Sequence, residues 1–234
     1  MTDLVTVYAV EPGRGFGQAA KVLGEDFGGT LVRDGWAPYR GFQLATHQSC
    51  LNHLLNRCNE ILETAQRGAA RFPHAVKRLL KKALSLRDRR DEGKISPHGL
   101  AVATGRLRAA MNRLLTWRPR DEGNRRFAKH LRTEQTALFT FLKRPEVPAT
   151  NHLAERALRP AVSTRKNCGG GNRTWKGAAT LVKIASVLRT ALQQGLDPHP
   201  IFVSLLRSPE PIVATPLLPG ADIDGLARSP PPSP

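Results

Sequence analysis

The 234-residue sequence has no long hydrophobic run, few cysteines and few acidic residues. No stretch approaches 18 uncharged apolar residues, so we expect no transmembrane helix. The N-terminus lacks a basic segment followed by an apolar stretch and a small-residue cleavage site, so we expect no signal peptide. Three cysteines are too few for a disulfide scaffold and favour a reducing, cytoplasmic environment.

Acidic residues are scarce relative to basic ones: 19 Asp and Glu stand against 36 Lys and Arg, a formal net charge of +17. Residues 208–234 contain more acids than cations, so the positive excess lies in residues 1–207. Such a charge favours a polyanionic partner, most simply nucleic acid. The alternative is the solvated surface of a basic protein without such a partner.

Short apolar segments near the N-terminus indicate an α/β arrangement. β-branched and aromatic residues at 4–10 predict a strand, helical spacing at 16–23 predicts a helix that Gly24 ends, and residues 30–33 predict a second strand. Residues 44–52 predict another short strand that runs into a helix. Alternating strands and helices with short links are typical of an α/β sheet.

From about residue 51 to 145 the pattern is helical, with polar breaks at 87–99 and 118–124. Four apolar stripes predict the buried faces. They comprise Leu51, Leu54, Leu55, Cys58, Ile61 and Leu62; Val76, Leu79, Leu80, Ala83, Leu84 and Leu86; Leu107, Met111, Leu114 and Leu115; and Leu131, Leu138, Phe139 and Leu142.

The remaining chain predicts two further helices and a tail. The first runs from a cap at Thr150–Asn151 to Leu158, and Pro160 should stop it. A loop at 168–172 precedes a long helix that ends at Gln194 before Gly195. Eight prolines after Ser208 predict a disordered tail.

Two acidic residues are candidates for chemistry. Asp34 follows a predicted strand, where its side chain would face an open crevice, and Glu155 lies four residues from both Asn151 and Arg159 on one helical face. A carboxylate between an amide and a guanidinium could hold a metal and a phosphate together. An ordinary ladder of surface charge has the same spacing and is the alternative.

The group His47, Cys50, His53 and Cys58 has residue types that can bind zinc, but its spacing matches no standard zinc finger. One helix cannot arrange four ligands tetrahedrally around an ion. We therefore expect buried cysteines and hydrogen-bonded histidines here rather than structural zinc.

A basic, glycine-rich segment at 165–176 could grip phosphates, although it lacks the spacing of a P-loop. A surface turn is the alternative. Trp36 and Tyr39 flank Asp34 on its C-terminal side, and we expect them to pack the strand end rather than stack on a base.

Several of these segments, in this order, resemble the catalytic half of IS66 insertion-sequence transposases over about residues 4–200. The segments are Leu31-Val-Arg-Asp-Gly-Trp-Ala-Pro-Tyr39, His47-Gln-Ser-Cys-Leu-Asn-His53, Asn151-His-Leu-Ala-Glu-Arg-Ala-Leu-Arg-Pro160 and Arg165-Lys-Asn167. The third is the most specific of them.

The resemblance implies an RNase H-like core in which three acids, Asp-Asp-Glu, hold two divalent ions, Mg²⁺ or Mn²⁺. Asp34 matches the second acid and Glu155 the third. The pair Cys50 and His53 matches a Cys-x2-His element of the family. The implied function is metal-dependent cleavage and transfer of DNA strands.

The family's first acid, in an Asp-Glu-Thr context, has no counterpart in these 234 residues. Asp3 lacks that context. We therefore expect a truncated, catalytically impaired transposase. A non-catalytic DNA-binding protein derived from a transposase is the main alternative, and a helical structural or RNA-binding module is a third.

The resemblance also implies four regions: 1–58 as the first part of an incomplete core, 59–147 as an all-α insertion, 148–207 as the end of the core, and 208–234 as the tail. The implied partner is double-stranded DNA in the bacterial cytoplasm and nucleoid, with a homo-oligomer allowed and no membrane. The predicted DNA contacts are Arg156, Arg159, Arg165, Lys166, Asn167, Arg173 and Lys176.

Overall fold

The structure is a computed structural model that describes residues 2, 4–167 and 172–207. The chain divides into two compact units. One comprises residues 14–151, and the other comprises residues 1–13 together with those from 152 onward. The predicted tail and nearly all of the predicted loop at 168–172 lie outside the described residues.

The unit 14–151 contains a two-stranded parallel sheet. Strands β1 (Thr30–Arg33) and β2 (Thr46–Ser49) pair in register from Thr30 opposite Thr46 to Arg33 opposite Ser49. Helix α1 (Phe16–Leu23) precedes β1 and ends at Gly24, whose φ of 88° suits glycine. These elements confirm the α/β prediction for this stretch.

Five helices follow β2 and build the core of this unit: α2 (Leu51–Thr64), α3 (Arg71–Asp91), α4 (Pro97–Thr116), α5 (Glu122–Thr133) and α6 (Thr140–Lys143). Most residues of the four predicted stripes are buried in one cluster, and several of the others pack against it. The described protein is therefore mostly helical, with a small parallel sheet.

The predicted strand at 4–10 is wrong. Its backbone is held by side chains of α8 (Trp175–Gln193) instead of by a neighbouring strand. The Thr190 hydroxyl accepts from Thr6 N at 3.1 Å and donates to Thr6 O at 3.0 Å, and Ser186 Oγ accepts from Tyr8 N at 2.8 Å. Hydroxyls thus satisfy polar backbone groups that a sheet would otherwise pair.

Two predicted helix ends are also corrected. Helix α3 continues to Asp91, into the segment predicted as a break. Helix α7 (His152–Asn167) runs across Pro160 instead of stopping there. A proline inside a helix removes one backbone hydrogen bond and bends the axis, and the turns on both sides can still form.

The last described helix of the unit that contains α7 and α8 is α9 (Pro198–Arg207), which the sequence patterns did not predict. Gly195, with φ of 71°, follows α8 as predicted. Ala191, Leu196 and Ile201 form a small core there. None of the described helices is both long and apolar enough to cross a bilayer.

The carboxylate of Glu134, directly after α5, is buried between the sheet and the helices. Its side chain has 0% exposure. Arg33 Nη1 lies 2.8 Å from Oε2, Ser49 Oγ donates to the same oxygen at 2.7 Å, and Arg40 Nη1 lies 3.2 Å from Oε1. The ends of β1 and β2 are therefore both joined to the end of α5 through one charged group.

Burial alone would raise the pKa of Glu134. The Ser49 hydrogen bond, the Arg33 charge and the hydrogen bonds from Arg40 and Arg33 outweigh burial and hold this pKa below its ordinary value. The carboxylate is therefore ionised in the folded protein at neutral pH.

We expect Glu134→Ala to lower the free energy of unfolding by about 3–5 kcal/mol, because it leaves the Arg33 guanidinium buried without its counter-charge. Urea unfolding followed by circular dichroism at pH 7 measures this. The control Glu60→Gln removes an exposed ion pair with Arg57 and should cost less than about 1 kcal/mol.

A comparison with Glu134→Gln gives a pH test. A carboxyl group whose pKa is lower in the folded than in the unfolded protein stabilises the fold at any pH above its unfolded-state pKa. This stabilisation is lost as the pH falls through the folded-state pKa. The stability gap between wild type and Glu134→Gln should therefore narrow as the solution is acidified below about pH 4.5. A gap that is constant from pH 7 to pH 3 would contradict the buried ion pair.

Candidate active site

Asp34 directly follows β1, at the carboxyl end of the parallel strand pair. Its Oδ1 accepts a hydrogen bond from Trp36 N at 2.9 Å, which fixes the turn after the strand. The rings of Trp36 and Tyr39 meet edge to face, with centroids 4.9 Å apart. They pack on each other, as expected from the sequence. Burial, and then the negative charge of Asp34, raises the pKa of Tyr39.

A cavity of about 320 Å³ opens beside Asp34. It combines one acid, two imidazoles, two guanidiniums and a thiol with a few apolar walls. The lining residues are Asp34, Gly35, Ser49, Cys50, His53, Leu54, Arg57, Arg126, Phe127 and His130. All of them belong to the unit 14–151, and they come from the ends of both strands and from α2 and α5.

Cys50 and His53 occupy the start of α2. Cys50 is its N-cap and is 1% exposed, and its Sγ lies within 4.8 Å of a ring nitrogen of His53. Asn151 N donates to Cys50 Sγ at 3.5 Å, and Leu51 N donates to Ala149 O at 3.0 Å. The Cys-x2-His element thus lines the cavity and also connects α2 to the segment before α7.

His47 and Cys58, the other two members of the Cys/His cluster, do not line the cavity. Arg33 Nε donates to His47 Nδ1 at 3.0 Å, so the ring proton is on Nε2, which lies 2.9 Å from Phe42 O. Cys58 is fully buried, and burial raises the pKa of its thiol to about 12. Neither residue is available as a zinc ligand, in agreement with the expectation of buried cysteine and hydrogen-bonded histidine.

His130 is the cavity residue that the sequence reasoning missed, together with Arg57 and Arg126. Burial lowers the pKa of His130. Glu134 opposes this shift, and Arg40, Arg33 and Arg57 add to it. The imidazole is therefore mostly neutral at pH 7. The spacing of Arg126 and His130 on α5 shows that they share a helical face, but nothing in the sequence connects that face to Asp34.

Gly35 is required by the close approach of His130. A Cβ added at residue 35 would overlap the His130 ring, because the ring lies against the backbone of this turn. Asp34, Gly35 and His130 are thus fixed relative to one another by direct packing.

The other predicted site residues belong to the second unit. Glu155 lies in the first turn of α7 and Lys176 in the first turn of α8, which Thr174 caps. The side chain of Arg165 lies outside the described part of the chain. The predicted DNA contacts whose exposure is described are partly or fully exposed: Arg156, Arg159, Lys166, Asn167, Arg173 and Lys176.

The donor set of the cavity includes one ligand suited to a hard divalent cation. Carboxylate oxygens are suited to Mg²⁺ and Mn²⁺. One oxygen of Asp34 receives the Trp36 N–H, and its Oδ2 has no donor among the described residues. Glu134 is already neutralised by two arginines. Within this unit the cavity therefore offers the carboxylate of Asp34 alone, which is fewer than a two-ion site needs.

We expect Gly35→Ala to push the His130 ring toward solvent and so to raise its pKa toward the ordinary value for histidine. Titration of the His130 Cε1–H signal by NMR, assigned with His130→Asn, measures the change. Gly105→Ala is the control, because a Cβ there meets nothing within 4 Å. An unchanged His130 pKa in Gly35→Ala would contradict the packing described here.

Comparison with known protein families identifies a relationship for most of the chain. A family model described as Transposase IS66 family matches residues 1–179, which include Asp34, the Cys50–His53 element and Glu155. No curated protein and no solved structure matches the chain. Since the matched residues make up well over half of the chain, this protein belongs to the IS66 transposase family.

Proposed function

We propose that this chain is a catalytically impaired DNA transposase of the Asp-Asp-Glu type, from a family whose reaction is strand cleavage and transfer. The family match over residues 1–179 is the observation that carries this proposal. Membership in a transposase family supports DNA as the substrate. The net charge of +17 is of the sign that a DNA substrate requires.

The fold that we propose for the catalytic part is an RNase H-like core with a helical insertion. Support comes from the parallel pair β1 and β2, followed by the helices α2 to α6. Asp34 follows the carboxyl end of β1, the edge at which ligands bind in parallel α/β sheets.

Asp34 and Glu155 are the metal ligands in this proposal. Bound Mg²⁺ or Mn²⁺ would activate a water or 3′-hydroxyl for attack on a DNA phosphate and stabilise the leaving oxygen. The available Oδ2 of Asp34 supports its part. For Glu155 the support is its place in the matched segment Asn151–Pro160, four residues before Arg159.

The other cavity residues would position the DNA strand. Arg57 and Arg126 supply guanidiniums beside Asp34 that can hold phosphate oxygens. His130, kept mostly neutral by burial, can exchange hydrogen bonds there without adding a full positive charge. The cations Arg156, Arg159, Lys166, Arg173 and Lys176 would bind the DNA backbone, and Arg165 and Asn167 belong to the same predicted set.

A second function is a DNA-binding protein without strand chemistry. Among the described residues of the unit 14–151 the cavity offers one carboxylate, which favours this function, as does the match of only two acids of the Asp-Asp-Glu set in the 234 residues. The two functions share DNA binding, and only the first uses Asp34 and Glu155 as metal ligands.

Binding to a 30-base-pair duplex should weaken steeply with salt and depend little on sequence. Each phosphate neutralised by a cation releases counterions, so the logarithm of the affinity should fall linearly with the logarithm of the salt concentration. Fluorescence anisotropy from 50 to 300 mM NaCl with two unrelated duplexes measures this. A flat salt dependence would exclude DNA as an electrostatic partner.

Metal binding tests the two acids directly. Titration of free Mn²⁺, followed by its EPR signal, should show binding by the wild type that is at least about tenfold weaker in Asp34→Asn and in Glu155→Gln. The control Asp26→Asn removes an exposed carboxylate shortly before β1 and should not change the affinity. An affinity that changes in Asp34→Asn alone would remove Glu155 from the site.

Nicking assays on supercoiled DNA with Mg²⁺ test the catalytic impairment. We expect the 234-residue chain to stay at background, because loss of one member of a catalytic group removes most of the rate. Robust Mg²⁺-dependent nicking that is lost in Glu155→Gln would show that another residue supplies the third ligand.

A further inference from the structure

Helix α3 carries a stripe of exposed cations that lies outside the candidate active site. The stripe consists of Arg71, Arg78, Lys81, Lys82 and Arg89, with His74 among them, and all six side chains are exposed. At about 100° of rotation per residue, these positions fall within about 100° of the helix circumference. At about 1.5 Å per residue, the stripe is about 27 Å long.

Helix α3 holds the stripe on its solvent-exposed face. The opposite face of α3 carries Phe72, Val76, Leu80 and Ala83, all with 0% exposure, in the main core of the unit 14–151. A helix fixed in this way cannot turn its cations toward the protein. The cost of ordering the backbone that carries these cations is therefore already met in the folded chain, and binding has to order only the side chains.

The acids of α3 do not neutralise the stripe. Asp88 pairs with Arg87 at 2.7 Å and Asp91 pairs with Arg90 at 2.8 Å, and neither arginine belongs to the stripe. Among the described residues, no ion pair involves Arg71, Arg78, Lys81, Lys82 or Arg89. Five cations on one side of one helix thus keep their full charge for a partner.

The residue types in and around the stripe indicate which class of partner it suits. No large exposed hydrophobic side chain of the described chain lies on α3, so the stripe lacks the apolar anchors of a membrane-binding helix or of a protein interface. The one Phe of this helix, Phe72, is buried, so there is no platform for stacking unpaired bases. What remains is a straight row of cations suited to phosphates.

We infer that the α3 stripe is a binding surface for the phosphate backbone of duplex DNA, separate from the cavity beside Asp34. Over about 27 Å, B-form DNA carries about 16 phosphate charges, which is ample for five cations. The inference rests on the proposed function in that DNA is the partner there. It adds a place where the helical insertion grips DNA without reading its sequence.

The test compares two triple variants of equal charge in the full chain. Arg78→Gln, Lys81→Gln and Lys82→Gln remove the centre of the stripe. The control Lys21→Gln, Lys129→Gln and Lys143→Gln removes three exposed cations from α1, α5 and α6. Because every substituted side chain is exposed, both triples should keep the wild-type circular dichroism spectrum and unfolding midpoint.

The stripe variant should reduce the slope of log affinity against log salt by about 2.7, at about 0.9 for each phosphate that the protein no longer neutralises. The reduction should be the same for two duplexes of unrelated sequence, and the control should change the slope by less than about 1. In mass spectrometry after acetylation, duplex DNA should protect Lys81 and Lys82 and leave Lys21 and Lys143 reactive.

Equal slopes for the two triples would mean that net charge alone acts, which overturns the stripe and leaves the proposed function in place. Loss of binding to phosphatidylserine vesicles without loss of duplex binding would assign the stripe to a membrane surface and overturn it as well. A wild-type chain that binds no duplex would overturn both proposals, a pattern distinct from either of these results.

Discussion

The buried carboxylate of Glu134 is the interaction on which the geometry of the unit 14–151 depends. It receives Arg33 from β1 and Ser49 from β2, so the ends of both strands are fixed to the end of α5. A two-stranded sheet has little stability of its own. The ion pair, its hydrogen bonds and the helical core are what hold these strands, and the desolvation of Arg33 makes the arrangement intolerant of losing its partner.

The candidate site follows from this anchor. Asp34 follows Arg33 directly and Cys50 follows Ser49, so two cavity residues are adjacent in sequence to two partners of Glu134. His130 lies one helical turn before Glu134 on α5 and packs on Gly35. The charge of Glu134 is compensated by its partners inside the protein. Asp34 is therefore the carboxylate of the cavity that has an oxygen available to a ligand.

The cations of the unit 14–151 fall into two groups that differ in their ion pairs. Around the cavity the arginines are partly neutralised, Arg57 by Glu60 and Arg126 by Glu122. The stripe cations of α3 lack such partners among the described residues. For the proposed function, this division would let long-range attraction to a duplex and close approach to one phosphate be set by different residues.

The sequence by itself determined the helices of the unit 14–151, their buried stripes, the two paired strands and the family, because periodicity and short motifs are local properties. Sequence patterns wrongly predicted a strand at residues 4–10, where hydroxyls of α8 bond the backbone in place of a strand partner. They also wrongly predicted a helix end at Pro160, where the helix continues. They also missed Arg57, Arg126 and His130 as neighbours of Asp34. Only the tertiary structure decided the backbone partners of residues 4–10 and the neighbours of Asp34, because both depend on which distant side chains meet a given backbone or carboxylate, and no local pattern encodes that meeting.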